Sequence, residues 1–113
     1  MEIIQKDYQI RYDPHASTVI CSGSFRLTGD EYASITEILN AAADAKPCEL
    51  TLDVTALQFL NSSGIHTLSK FVLRVRGHNT TRVTVRGSSK YPWQHKSLVN
   101  LERLLPGLRL ELE

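Results

Sequence analysis

The stretch Leu50–Arg76, LTLDVTALQFLNSSGIHTLSKFVLRVR, changes its hydrophobic period part-way and so dictates two different elements in succession. Leu50, Leu52 and Val54 alternate with Thr51, Asp53 and Thr55, the period of a strand with one buried face. Phe59 and Leu60 form a second apolar block ahead of Asn61-Ser62-Ser63-Gly64. From Ile65 the period lengthens: Leu68, Phe71 or Val72, and Val75 complete the stripe of an amphipathic helix. Asn and Ser ahead of such a stripe suit an N-cap, because their side-chain oxygens accept from backbone N–H groups that the first turn leaves free. Two hydroxyls, Ser62 and Ser63, are thereby placed on an exposed turn at the positive end of a helix.

The flanking sequence supplies a sheet for this pair. Alternation from Tyr8 to Tyr12 predicts a strand, Asp13-Pro14-His15 a turn, and residues 17–27 the returning strand of a hairpin. Gly23 within it marks a bulge or a close backbone approach. Thr28-Gly29-Asp30 caps a helix over residues 30–45, with Tyr32, Ile35, Ile38 or Leu39, and Ala42 as its apolar stripe and Lys46-Pro47 as its end. Gly77, with His78 and Asn79, closes the second helix. Val83 and Val85 alternate with polar neighbours in a strand over 81–86. Pro92 opens a third helix carrying Leu98, Leu101, and Leu104 or Leu105. Pro106-Gly107 stops it before a last strand with Leu108, Leu110 and Leu112. The order β-β-α-β-α-β-α-β predicts an α/β fold: a mixed, mostly parallel sheet of four to five strands with helices packed on it. A chain of 113 residues accommodates this as one domain, 1–113.

Several kinds of chemistry find no support. Formal net charge is +1, and Arg74, Arg76, Arg82, Arg86 and Lys90 have no aromatic residues interleaved as a stacking platform would need. They read as solvated faces, so no nucleic-acid partner is expected. The N-terminus lacks a signal-type apolar core, and no apolar run approaches the roughly 18 residues of a membrane span. A cytoplasmic protein is expected, with Cys21 and Cys48 as buried free thiols rather than a disulfide. His15, His66, His78 and His95 do not stand at metal-ligand spacings, so no metal is expected. There is no GxxxxGK[ST] or GxGxxG, which leaves no nucleotide cofactor to place. Gly64 reads as a small residue that lets the helix approach the sheet. A hydrolase would use Ser62 with His66 as base, but the serines sit outside a GxSxG elbow and no third orienting group is evident.

The other use of a serine hydroxyl is as a substrate. A phosphate on Ser62 would stand over free N–H groups at the helix end. It would add about −1.5 to −2 charges and three strong acceptor oxygens. A partner docking over the turn would meet that charge in a desolvated interface, where losing about 3 kcal/mol weakens binding more than a hundredfold. The rival local reading makes Ser62 an N-cap and nothing more.

The segment LTLDVTALQFLNSSGIHTL resembles the signature of STAS domains, the fold of bacterial anti-sigma factor antagonists. Asp53, Phe59-Leu60, Ser62-Ser63-Gly64 and Ile65 match the family pattern, and the tail LVNLERLLPGLRLEL resembles its last helix and strand. Asn61 stands where the family usually has Asp, and His66 where it often has a small residue. The resemblance implies a non-enzymatic regulator in a partner-switching system. A serine protein kinase, often itself an anti-sigma factor, would phosphorylate Ser62, with Ser63 the second choice, and a serine phosphatase would reset it. Asn61, Ser63, Gly64, Ile65 and His66 would form the partner surface. ATP would belong to the kinase, leaving this chain without a cofactor, as a monomer or weak homodimer. The alternative within the family is a STAS interaction subunit of a transporter or signalling complex, never phosphorylated.

Overall fold

A computed structural model describes residues 1–113 and shows the strand before the Asn61 turn to be longer than its alternation suggests. In chain order the elements are β1 (Glu2–Ile4), β2 (Tyr8–Asp13), β3 (Thr18–Phe25), a 3-10 turn (Gly29–Tyr32), α1 (Ala33–Asp44), β4 (Glu49–Leu60), α2 (Ser62–His78), β5 (Arg82–Gly87), α3 (Pro92–Leu104) and β6 (Arg109–Leu112). β4 absorbs the Phe59-Leu60 block. Its register against β3 slips twice, from Ile20↔Asp53 to Ser22↔Ala56 and from Gly23↔Leu57 to Ser24↔Phe59. Each slip inserts an extra residue on β4 and resets which face a side chain meets. The buried positions therefore run Leu50, Leu52, Val54, Leu57, Leu60, and strict alternation disappears after Val54.

The sheet has six strands in the order β1-β2-β3-β4-β5-β6, not four or five. The extra member is β1, a three-residue edge strand too short to show a period, paired antiparallel with Arg11–Gln9 of β2. β2 and β3 form the expected hairpin, and Asp13 Oδ1 accepts from the His15 and Ala16 amides in its turn. β3–β4, β4–β5 and β5–β6 are parallel. Each crossover steps to the adjacent strand in the same direction, and right-handed crossovers then place all three helices on one face. α1 accordingly packs on α2, and α2 on α3. Ile10, Val19, Cys21, Phe25, Leu50, Leu52, Val83 and Val85 face the helices in one continuous core. Across the opposite face Arg11, Ile20, Asp53, Arg86 and Glu111 stand in one row, all charged but Ile20.

The structure corrects several boundary expectations. α2 ends at Asn79, which takes φ +57°, while Gly77 stays helical; Asn tolerates the left-handed conformation that a C-cap requires. Within the expected Thr28-Gly29-Asp30 cap, Thr28 caps the 3-10 turn that leads into α1, its amide and hydroxyl donating to Glu31 Oε1 at 3.1 and 2.9 Å. Gly23 has φ +85°, and a β-carbon there would lie 2.8 Å from Tyr8 Cα, so the close backbone approach holds, while the bulge beside it places its extra residue on β4. Both cysteines are free, but only Cys21 is buried; Cys48, just before β4, is open to solvent.

Beyond Asp53, β4 has no β5 partner. α3 fills the gap with a side chain. Gln94 is fully buried, and its Nε2 donates to Val54 O (2.7 Å) and Leu57 O (2.9 Å) while its Oε1 accepts from Ser88 N (2.8 Å). Trp93 Nε1 also donates to Leu57 O, at 3.2 Å. Gly87 makes room for this, since a β-carbon there would lie 2.6 Å from Gln94 Oε1.

Candidate functional site

At the end of β4 the chain turns through Asn61 into α2. Asn61 is extended (φ −81°, ψ 177°), and its Oδ1 accepts from Gly64 N at 2.9 Å, the bond of an N-cap. The same oxygen accepts from the Tyr32 hydroxyl at 2.6 Å, and Asn61 Nδ2 donates to Leu27 O at 2.6 Å. One carboxamide thus ties the start of α2 to both ends of the segment Leu27–Tyr32. Burial pushes the Tyr32 phenol up to about 12, with the charges of Tyr8 and Glu31 adding to the rise and a backbone hydrogen bond at Leu27 opposing it. The phenol therefore keeps the proton it shares with Asn61.

Asn61 alone does the capping, so the serines are released from it. Ser62 and Ser63 are the first two helical residues, both exposed, and neither hydroxyl makes a hydrogen bond to protein. Gly64 N is taken by Asn61 Oδ1 and Ile65 N by Asn61 O. The amides of Ser62 and Ser63 remain free at the positive helix end. The reading of Ser62 as a mere cap is thereby overturned.

The other site residues divide by depth. Gly64 is buried, which removes it from the partner surface. A β-carbon there would clash with Leu60 Cδ1 and lie 2.7 Å from the Tyr32 hydroxyl oxygen, so Gly64 is what lets α2 approach β4. Ile65 is half-buried against the core. His66 is exposed, one turn beyond Ser62. A groove of about 720 Å³ runs between α2 and the Gly29–Glu37 segment. Ser62, Ser63, His66 and Lys70 line one side, and Asp30 and Glu37 the other. His66 makes no hydrogen bond to either serine, and no group of three His, Cys, Asp or Glu residues gathers anywhere in the chain. The arrangement presents an accessible hydroxyl without a base positioned to activate it.

Tyr32, Leu27 and Lys70 are site residues that the sequence did not announce. Tyr32 was legible only as part of the α1 stripe, and Leu27 acts through its backbone carbonyl, which carries no side-chain signal. At the other end of α2, Asp44 accepts from Arg74 (2.8 and 2.7 Å) and contacts His78 (2.9 Å). These hydrogen bonds, those of Arg74 first, hold its carboxyl below the usual carboxylate range and pin α1 to α2.

The fold and the site define a small mixed-sheet domain with one helical face and a hydroxyl-bearing helix start. No protein-family model and no curated protein matches the sequence. Solved structures do share its fold. SiaC of Pseudomonas aeruginosa aligns over 100% of this chain and 98% of its own, with TM-score 0.73 and 13% identity. Apo-SiaC from that organism aligns over 100% and 97%, with TM-score 0.70 and 14% identity. A chain in the crystal structure of the diguanylate cyclase SiaD with its activator SiaC aligns over 100% and 99%, with TM-score 0.72 and 14% identity. At these identities the likeness establishes a common fold. No helix of this chain is long and apolar enough to cross a membrane.

Proposed function

We propose that this chain is a non-enzymatic regulatory domain of the STAS type that works by binding a protein partner, and that phosphorylation of Ser62 controls the binding. The observation that carries the reading is the division of labour at the helix start. Asn61 satisfies the cap, leaving the Ser62 hydroxyl exposed and without a protein partner above two free amides. A phosphate can be added there without breaking an internal bond, and the free amides favour its charge. The fold shared with SiaC, an activator bound to its cyclase, supports a regulatory role. A serine kinase, such as an anti-sigma factor, would write the mark and a serine phosphatase remove it. Ser63, Ile65 and His66 would lie under the docked partner.

The test is phosphate incorporation by the kinase partner purified from the native cell. Ser62→Ala should abolish labelling while leaving fold and partner binding intact, and Ser62→Asp should weaken binding. Full labelling of Ser62→Ala, with Ser63 excluded by a second substitution, would overturn the assignment. The rival reading, a constitutive interaction subunit, draws on Asn61 in place of the family's acidic residue. It expects partner co-purification that phosphatase treatment does not alter.

A further inference from the structure

The basic residues that look like one dense set in the sequence lie on two separate surfaces. Arg82 and Arg86 face outward on the open side of the sheet, where Arg86 pairs with Glu113 at 3.0 Å. Lys70, Arg74 and Arg76 lie on α2, which has no acidic residue in its whole length. Leu73 sits among them and is 45% exposed, an apolar side chain on an otherwise polar outer face. At about 100° per residue, Ser62, His66 and Leu73 fall within roughly 40° of one another around the helix. They form a single outward line about 16 Å long at ~1.5 Å rise per residue. Ser69, Lys70, Arg76 and Gly77 are the helical neighbours that ring Leu73. Arg74 is held by Asp44 and Arg76 by Leu104 O, but Lys70 has no ion-pair or hydrogen-bond partner. α3, packed beside α2, contributes Lys96 and Arg103 against the one acid Glu102.

From this we infer that the partner contributes an acidic segment, apolar along one edge, that lies along α2 from Ser62 to Leu73. Its apolar edge covers Leu73 and its carboxylates meet Lys70 and the neighbouring cations. The acids of the groove, Asp30 and Glu37, stand on the opposing wall and limit its approach from that side. The inference rests on the regulatory reading of Ser62 and gives that reading a sign. A phosphate on Ser62 lies on the same line as Leu73, so it faces the acidic segment and repels it.

The experiment places a benzophenone amino acid at Gly77, where an added side chain meets open space, in the full chain expressed in its native cell. Irradiation and peptide mapping by mass spectrometry then identify what lies against the ridge. The expected adduct is a protein segment of net negative charge with apolar residues along one edge. Its yield should fall about tenfold, the equivalent of ~1.4 kcal/mol, in both Lys70→Glu and Leu73→Asp. Circular dichroism checks that these two exposed positions leave the fold intact. A net-basic segment, a lipid, a nucleic acid, no adduct, or a yield unchanged in both variants would overturn the inference. The two proposals separate cleanly. If Ser62→Asp abolishes the adduct while Lys70→Glu and Leu73→Asp do not, the switch stands and the acidic partner falls. If the converse holds and Ser62 carries no phosphate in the cell, the acidic partner stands and the switch falls.

Discussion

Replacing Asn61 by Asp would exchange the carboxamide of this turn for a carboxylate, and the structure predicts that the change weakens the protein. One carboxylate oxygen would keep the roles of Oδ1, accepting from Gly64 N and the Tyr32 hydroxyl. The other would take the place of Nδ2, 2.6 Å from the Leu27 carbonyl oxygen. A donor is exchanged for an acceptor, and Leu27 O loses its partner. A part-buried acceptor orphaned in this way costs about 1–3 kcal/mol. The new negative charge at the helix end returns roughly 0.3–1 kcal/mol. The net loss is on the order of 1–2 kcal/mol, which for a domain of this size lowers Tm by roughly 4–8 °C. The deficit depends on pH with a defined sign. Protonated, the new carboxyl can donate to Leu27 O as Nδ2 did, so the folded state raises its pKa above the unfolded value of about 4. The variant is therefore closest to the parent below pH ~4, and its deficit opens as the pH rises through the raised folded value. Thermal unfolding of both proteins at pH 4 and pH 7 measures this. An Asn61→Asp variant as stable as the parent at pH 7, or more so, would refute the idea that the carboxamide fixes the turn by using both of its ends.

Three further outcomes follow from the packing around the site. Gly64→Ala should cost about 1–3 kcal/mol in urea unfolding, because the added methyl meets Leu60 and the Tyr32 hydroxyl. Gln94→Leu should cost about 2–4 kcal/mol of stability, read as a lower urea midpoint with little change in slope, since it removes the side-chain partners of Ser88 N and Val54 O. Iodoacetamide at pH 8 should modify Cys48 alone in the folded protein and both cysteines in denaturant. Burial, with the charge of Asp53 adding, pushes the Cys21 thiol up to about 12.

The elements that were legible in the sequence are those buried on one side only. The stripes of α1, α2 and α3 and the alternation of Leu50, Leu52 and Val54 record which face meets the core. The second half of β4 was hidden because two bulges shift its inward residues to Leu57 and Leu60, three-residue steps that break the period of two by which a strand is read. β1 was hidden because three residues on an edge need no pattern. The site was legible to the same depth. An Asn-Ser-Ser-Gly turn before a stripe identifies a capped helix start, and the cap proved to be Asn61. What fixes that cap comes from Tyr32 and Leu27, 29 and 34 residues away, and no local pattern encodes contacts at that separation. Gly77, His78 and Asn79 were together the expected helix end, and within them Asn79, not the glycine, adopts the left-handed conformation.

The buried glutamine of α3 has a mechanical consequence for the turn it supports. The outer half of β4 is braced by a strand on one flank and by side chains on the other, so it projects past the shorter β5 like a cantilever. Ser62 stands at the tip of that beam. A group the size of a phosphate, or the flank of another protein, can therefore reach it without parting any strand from its neighbour.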